Sequence, residues 1–319
     1  MTSETLNDVP DHVSRCLQLA ILLEVSAYPK PGNVHRTADF QETRYEHFLA
    51  SASALAPHFR HTAERGKRVF HDKIILSQIE IGKIIKNAVI DVGTWQHGGN
   101  TLLGSIILLI PIAATAGLTL AENKAFFINK FRANLKSVVE STTAKDAVNV
   151  YDAITIAQPG GLGKAPRFDV TDVKSKRKIL KEGISLFEVF KISSSWDSIS
   201  AEWVNYYHIT FDIGYPFFVQ QLKETRDVNV ATVHTYMKVL SEVPDTLISR
   251  KAGADKARWV SVQASRILED GGLMTEKGRA SLLRLDRELR DPAQRLNPGT
   301  TADITSAILA VAILNGYRP

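Results

Sequence analysis

Apolar residues recur at steps of three and four along most of this chain, the spacing that places them on one face of a helix. Val13, Cys16, Leu17, Ala20, Leu23 and Ala27 mark such a face over residues 12–27. Tyr45, Phe48, Leu49, Ala52 and Leu55 predict a second helix from about Glu42 toward Thr62, ended or kinked at Pro57. Ile79, Ile81, Ile84, Ile85, Ala88 and Val89 predict a third over Ser77–Val92. Further helices are expected over Ala121–Ser141, Thr143–Ala157, Ile179–Ile192, Trp196 to about Leu222 with Ser195 as its cap, Val228–Leu240 and Ala254–Glu269. Thr275 is expected to cap a helix through Arg290. Pro244-Asp-Thr246 and Asn297-Pro-Gly-Thr-Thr-Ala-Asp303 each open another, the last running through Leu314. No stretch alternates with the period of two that a half-buried strand requires, and neither a repeat nor a Pro/Ser-rich linker divides the chain. The pattern predicts an all-α, multi-helix bundle, one domain over residues 1–319.

One apolar run stands out. Thr101–Leu120 is about as long as a membrane span of ~20 residues, but Gly104, Pro111 and Gly117 interrupt it and Ser and Thr dilute it. A buried central helix, kinked near Pro111, is the expectation. The remaining composition is that of an ordinary globular chain, 44% hydrophobic and 23% charged among 319 residues. A net charge of +5 suits an anionic small molecule and is too diffuse to point to nucleic acid. The single cysteine, Cys16, excludes an intramolecular disulfide and a cysteine-based zinc site, and its place on an apolar face makes it a buried structural thiol. Met1–Asp11 is polar and acidic, without the basic start and apolar run of a secretory signal, so a cytoplasmic protein is expected. His58, His61 and His71 fall where the pattern turns polar, which reads as a solvated helix end rather than a metal cluster.

The loops carry the chemistry. In Glu24-Val-Ser-Ala-Tyr-Pro-Lys-Pro-Gly-Asn-Val-His-Arg36, Pro29 and Pro31 stop the helix and stiffen the chain, presenting Lys30, Asn33, His35, Arg36 and Asp39. Local chemistry supports a binding loop and a plain helix connection equally. His35 and His97 are read as surface histidines. Gly98-Gly99 precede the central helix, a corner where backbone N–H groups can approach phosphate. Pro159–Asp172, Pro244–Lys251 and Asn297–Asp303 share the same composition: Gly, Pro or Asn with Asp, Lys or Arg at a helix end. Gathered at one rim, such loops supply carboxylates, basic groups and phosphate-binding N-termini. Mg²⁺ asks for only one or two protein carboxylates beside phosphate and water.

Four of these stretches, in order, resemble the triphosphoribosyl-dephospho-CoA synthase (CitG/MdcB-type) family. They are Lys30-Pro-Gly-Asn-Val preceded by Leu-Leu-Glu-Val-Ser, Asn100-Thr101 with Gly104, Asp245-Thr-Leu247 with Arg250, and Asn297-Pro-Gly-Thr-Thr-Ala-Asp303. The resemblance implies an all-α fold and a transferase that joins ATP and 3′-dephospho-CoA to give 2′-(5″-triphosphoribosyl)-3′-dephospho-CoA and adenine. The chain departs from the family pattern at Leu102 and Leu103, where a His-Lys pair is usual. It departs again at Tyr151-Asp-Ala-Ile and Pro159-Gly-Gly-Leu-Gly, in place of a Tyr-Gly-Xaa-Arg-Gly run. It reads as a divergent, archaeal-like branch.

Under that resemblance Asp303 and Asp245 are the expected catalytic carboxylates, with Asp39, Asp245 and Asp303 as Mg²⁺ ligands. Lys30 and Arg250 are expected to hold triphosphate. Asn33, Arg36, Gly98, Gly99, Asn100, Thr101, Asn297, Thr300 and Thr301 are expected to complete the substrate site. Each Asp can equally be a helix cap. ATP and a dephospho-CoA-like molecule are the expected partners, with no nucleic acid and no membrane; a homo-oligomer is compatible. Another Mg²⁺-dependent nucleotide-cofactor transferase, an N-glycosyl hydrolase and a non-catalytic nucleotide- or CoA-binding protein remain as alternatives.

Overall fold

In a computed structural model of the chain, described over residues 8–319, the apolar stripes fold as α-helices. Residues 1–7, and with them most of the polar stretch from Met1, lie outside the described residues. The helices are α1 (Val9–Ser26), α2 (Tyr45–Phe70), α3 (Ile81–Trp95), α4 (Leu103–Asn123), α5 (Ile128–Glu140), α6 (Ala144–Ala157), α7 (Val173–Glu182) and α8 (Leu186–Ser193). They continue as α9 (Ser198–Val204), α10 (Tyr215–Thr225), α11 (Val228–Glu242), α12 (Thr246–Ala252), α13 (Ala254–Glu269), α14 (Glu276–Leu289) and α15 (Gly299–Leu314). No strand forms among the described residues. The nearest thing to one is a single bridge between His35 and Ala38.

Two helices are apolar on nearly all sides, and both are central: α4 and α15 are buried along most of their length. α4 lies along α2, which lies along α1, and α1 returns to α15. The α2–α4 contact is close because glycines stand where a side chain would collide. A Cβ on Gly66 would come within 1.9 Å of the Ala114 carbonyl oxygen, and one on Gly117 within 2.0 Å of that of Ala63. α4 is the one helix among the described residues long and apolar enough to cross a membrane, and it is enclosed by its neighbours.

α4 runs unbroken through Pro111. Proline has no N–H, so the carbonyl of Ile107, four residues earlier, loses its helical donor. The Trp203 indole N–H supplies one instead, at 3.2 Å, and the Tyr207 hydroxyl donates to Leu108 O at 2.9 Å. Two aromatics from the α9 region thus satisfy and grip the middle of the central helix.

The apolar residues form two cores. One surrounds α4. The other gathers α11, α13 and α14 around Tyr236, Met237, Val260 and Leu285. Ala27, just after α1, and Ala302, in the first turn of α15, belong to the second core, while the bodies of both helices belong to the first. The end of α1 and the start of α15 therefore meet where the two cores join.

Several segments differ from the pattern's prediction: α2 runs on through Pro57 to Phe70, and Ala121–Ser141 is shared between the end of α4 and α5. The aromatic stretch from Trp196 is three pieces rather than one helix. Tyr206 and Tyr207 adopt left-handed backbone (φ 52° and 62°) and end α9, and a π-helical turn over Ile209–Gly214 precedes α10. Asp197, not Ser195, caps α9. Ile179–Ile192 is divided at Gly183, which turns into the left-handed region (φ 70°), and Ser185 caps α8. Cys16 is buried as expected, and burial pushes its thiol up to about 11.

Candidate active site

The junction of the two cores opens into a cavity of about 450 Å³. Its lining comes from the last turn of α1, the N-terminus of α4, the loop after α6, α8 and the start of α9, α12, and the first turn of α15.

Asp303 and Glu24 each turn a carboxylate toward this cavity with one oxygen free of protein donors. Asp303 Oδ1 accepts from the Ser105 backbone N–H (2.8 Å) and hydroxyl (2.6 Å). The donor is one of the unpaired N–H groups in the first turn of α4, so α15 caps α4 with a carboxylate. Gly104 makes room for it: a Cβ there would lie 2.1 Å from Asp303 Oδ2. That second oxygen has no protein donor among the described residues. Burial, with the negative charge of Glu24 nearby, pushes Asp303 up to about 7 against the Ser105 hydrogen bonds.

Glu24 is 2% exposed, and its Oε1 takes the ammonium of Lys30, itself fully buried. Lys30 also donates to Glu24 O at 3.1 Å. Burial raises Glu24 and lowers Lys30, and each opposes that shift in the other. Glu24 Oε2 has no protein donor among the described residues.

The proline-rich loop that holds Lys30 is fixed from the second core. Asn229 brackets Tyr28 through its backbone N–H and carbonyl (2.8 and 2.6 Å), beside a cis Tyr28–Pro29 peptide. The Gly32 N–H donates to Asp286 (2.9 Å), and Arg290 donates to Asn33 O (2.7 Å). His35 is a correction to the surface reading: it is 1% exposed and faces Asp286 at 3.3 Å.

The expected site residues divide sharply. Asp303, Asn33, Asn100, Thr101, Arg250, Asn297 and Thr300 all line the cavity. Asn33 donates to Asn297 at 2.9 Å, and Thr101 bonds Ser51 at 2.8 Å. Thr246 links the Ser198 N–H (3.2 Å) to Thr300 (3.3 Å), and Arg250 pairs with Asp197 at 2.7 Å.

The rest lie elsewhere. Asp245 is buried as a double cap: its carboxylate accepts from Leu247 and Ile248 N–H in its own helix and from the Thr301 N–H and hydroxyl of α15. With both oxygens committed to protein donors, it holds α12 to α15 rather than a substrate or metal, and Thr301 is its partner. Asp39 is exposed and caps Tyr45 N–H at 2.7 Å, outside the cavity. Arg36 is exposed against the Tyr28 ring. Lys30 sits behind Glu24 with its ammonium consumed. The Gly98 N–H is taken by Gln96, Gly99 is exposed, and neither lines the cavity. The α4 N-terminus lies beyond them, and Asn100 and Asp303 cap it.

Glu24, Ser105, Asp197, Lys164 and Arg167 also line the cavity; none was singled out as a site residue, although Lys164 and Arg167 belong to the Pro159–Asp172 loop expected at the rim. Glu24 left a signal: an acid on the buried face of a helix, in step with Leu17, Ala20 and Ile21. The loop that departs from the family pattern, together with Leu102 and Leu103, forms much of the wall.

The family model described as ATP:dephospho-CoA triphosphoribosyl transferase matches residues 10–319. A 2-(5''-triphosphoribosyl)-3'-dephosphocoenzyme-A synthase from Klebsiella pneumoniae is 21% identical over 299 residues, 92% of this chain and 88% of that protein. The crystal structure of a protein from Archaeoglobus fulgidus, provisionally assigned as a triphosphoribosyl-dephospho-CoA synthase, superposes with a TM-score of 0.62 at 23% identity. That superposition covers 85% of this chain and all of that one, a likeness of fold. This chain belongs to the CitG family of ATP:dephospho-CoA triphosphoribosyl transferases.

Proposed function

We propose that this enzyme moves the triphosphoribosyl unit of ATP onto a hydroxyl of a 3′-dephospho-CoA-like acceptor and releases adenine. The observation that carries this reading is the carboxylate pair, Asp303 and Glu24, lining one cavity with one oxygen of each left open. Breaking the ribosyl C1–adenine bond builds positive charge on the sugar, and a fixed negative group in a low-dielectric site stabilises that charge. Glu24, held by Lys30, supplies it. Asp303 takes the proton from the acceptor hydroxyl as its oxygen bonds to C1, while the departing adenine takes up a proton from solvent. A carboxylate raised to about 7 is matched to proton transfer near neutrality.

Of the carboxylates expected to bind Mg²⁺, Asp39 and Asp245 do not fit, because both are committed outside the cavity. Asp303, the third of them, and Glu24 each keep one open oxygen on the cavity, and these are the carboxylate atoms that would hold the ion, with phosphate and water for the remainder. Bound there, Mg²⁺ supplies charge neutralisation to the triphosphate.

Incubation with ATP, Mg²⁺ and 3′-dephospho-CoA, followed by chromatography for adenine, tests the reading. Adenine released in step with acceptor consumed is expected. Adenine released at the same rate without acceptor would replace transfer by N-glycosyl hydrolysis, and no adenine would remove the enzymatic reading.

A further inference from the structure

Three cations line the cavity: Lys164, Arg167 and Arg250. Arg250 is committed to Asp197 at 2.7 Å, and Arg167 meets Glu182 at 3.4 Å in an exposed surface pair. A fourth basic group near the site, Lys30, is neutralised by Glu24. Lys164 alone among the three has no carboxylate within ion-pairing distance among the described residues. It is exposed at the cavity wall. A triphosphate entering this cavity meets two open carboxylate oxygens and one uncommitted ammonium.

The loop that carries Lys164 is built to hold it in place. The Asp169 carboxylate accepts from the Ala165 N–H, one residue on, at 2.7 Å, and from the Thr171 N–H and hydroxyl at 2.7 and 2.5 Å. The Tyr151 hydroxyl donates to Phe168 O, whose residue adopts a left-handed backbone (φ 49°) with its ring buried. Upstream, Gly161 (φ 76°) lies on the basic end of α12, where a Cβ would come within 3.0 Å of Lys251 Cγ and 3.3 Å of Arg250 Cβ. The loop is tied at both ends, and its fold brings Lys164 and Arg250 to one wall.

We infer that Lys164 engages the phosphate chain of the nucleotide bound in this cavity. This rests on the reading that the cavity takes ATP. The loop supplies the point charge that the apolar Leu102 and Leu103 beside the α4 N-terminus do not, and Arg250 completes the wall while keeping its bond to Asp197.

Inorganic tripolyphosphate, titrated calorimetrically into the full chain, tests this without requiring turnover. Lys164→Ala is expected to weaken binding about tenfold or more, the size of one lost charge-assisted hydrogen bond. It should also flatten the fall of affinity with salt. Lys164→Arg should retain most of the affinity, and Lys181→Ala, on α7 outside the cavity, should leave it unchanged. In turnover, Lys164→Ala should raise KM for ATP with kcat largely kept, at an unaltered melting temperature. Wild-type protein that fails to bind tripolyphosphate, or binding equal in wild type and Lys164→Ala, overturns the inference. Binding that depends on Lys164 in a protein that releases no adenine leaves the inference standing while the transfer reading falls.

Discussion

Glu202 on α9 and Asp303 on α15 are both pushed up to about 7 by burial, yet their oxygens are used differently. Glu202 spends both on protein. Oε1 accepts from the Ile209 N–H (2.8 Å), and Oε2 from the Thr210 N–H (3.0 Å) and hydroxyl. These bonds stitch the π-helical turn to α9. Asp303 spends one oxygen on Ser105 and leaves the other to the cavity. A perturbed carboxylate is a candidate for function, but titration alone does not separate these two. The open oxygen does.

The sharpest break in the comparison is Asp303→Asn. The amide keeps an oxygen for Ser105 and loses the base, so turnover should fall roughly 10²–10⁴-fold. Stability should move the other way. Asp303 has a folded pKa above its unfolded one, so the folded state holds the extra proton between about 4 and 7. Its contribution is fully present below about 4 and lost as pH rises through 7. In metal-free protein, Asp303→Asn should therefore melt higher than wild type at pH 8 and alike at pH 4, by differential scanning fluorimetry. A mutant as active as wild type would remove Asp303 from the chemistry.

Glu202→Ala probes the other side. It strands two backbone N–H groups in the core, at a cost of about 1–3 kcal/mol each. Urea titration should show that loss, while KM for ATP in the folded protein stays near the wild-type value. A large KM change at full stability would mean that Glu202 belongs to the site.

Trp203→Phe is a smaller test in the same region. It leaves Ile107 O without its indole donor, costing about 1–2 kcal/mol. Pro111→Ala restores a backbone N–H to that carbonyl, so the two substitutions should couple by about 1 kcal/mol in a double-mutant cycle. Simple additivity would show that the indole does not replace the proline's missing donor.

The helices were legible because burial in this fold follows the 3.6-residue period closely; Ala254–Glu269 matches to the residue. The break at Tyr206–Tyr207 was not, because left-handed backbone there is held by tertiary contacts such as the Tyr207 bond to Leu108 O, whereas the break at Gly183 is a local glycine cap that the apolar spacing on either side masked. In the cavity, Asp303, Asn33 and Asn297 were legible as polar residues at helix ends. Asp245 looked identical in sequence. Only the count of donors around its carboxylate separates a cap from an open acid. Lys30 was legible as special but not as buried, since its partner Glu24 lies on a face that otherwise reads as apolar core.

The distance along the chain between Glu24 and Asp303 bears on how the protein is made. A ribosome delivers α1 well before α15, and the loop beside Glu24 is pinned by Asp286 of α14 and by Arg290, the residue after it. No partly synthesised chain can hold both acids across a cavity. A nascent chain that has not yet reached α15 therefore carries one member of the acidic pair without the other.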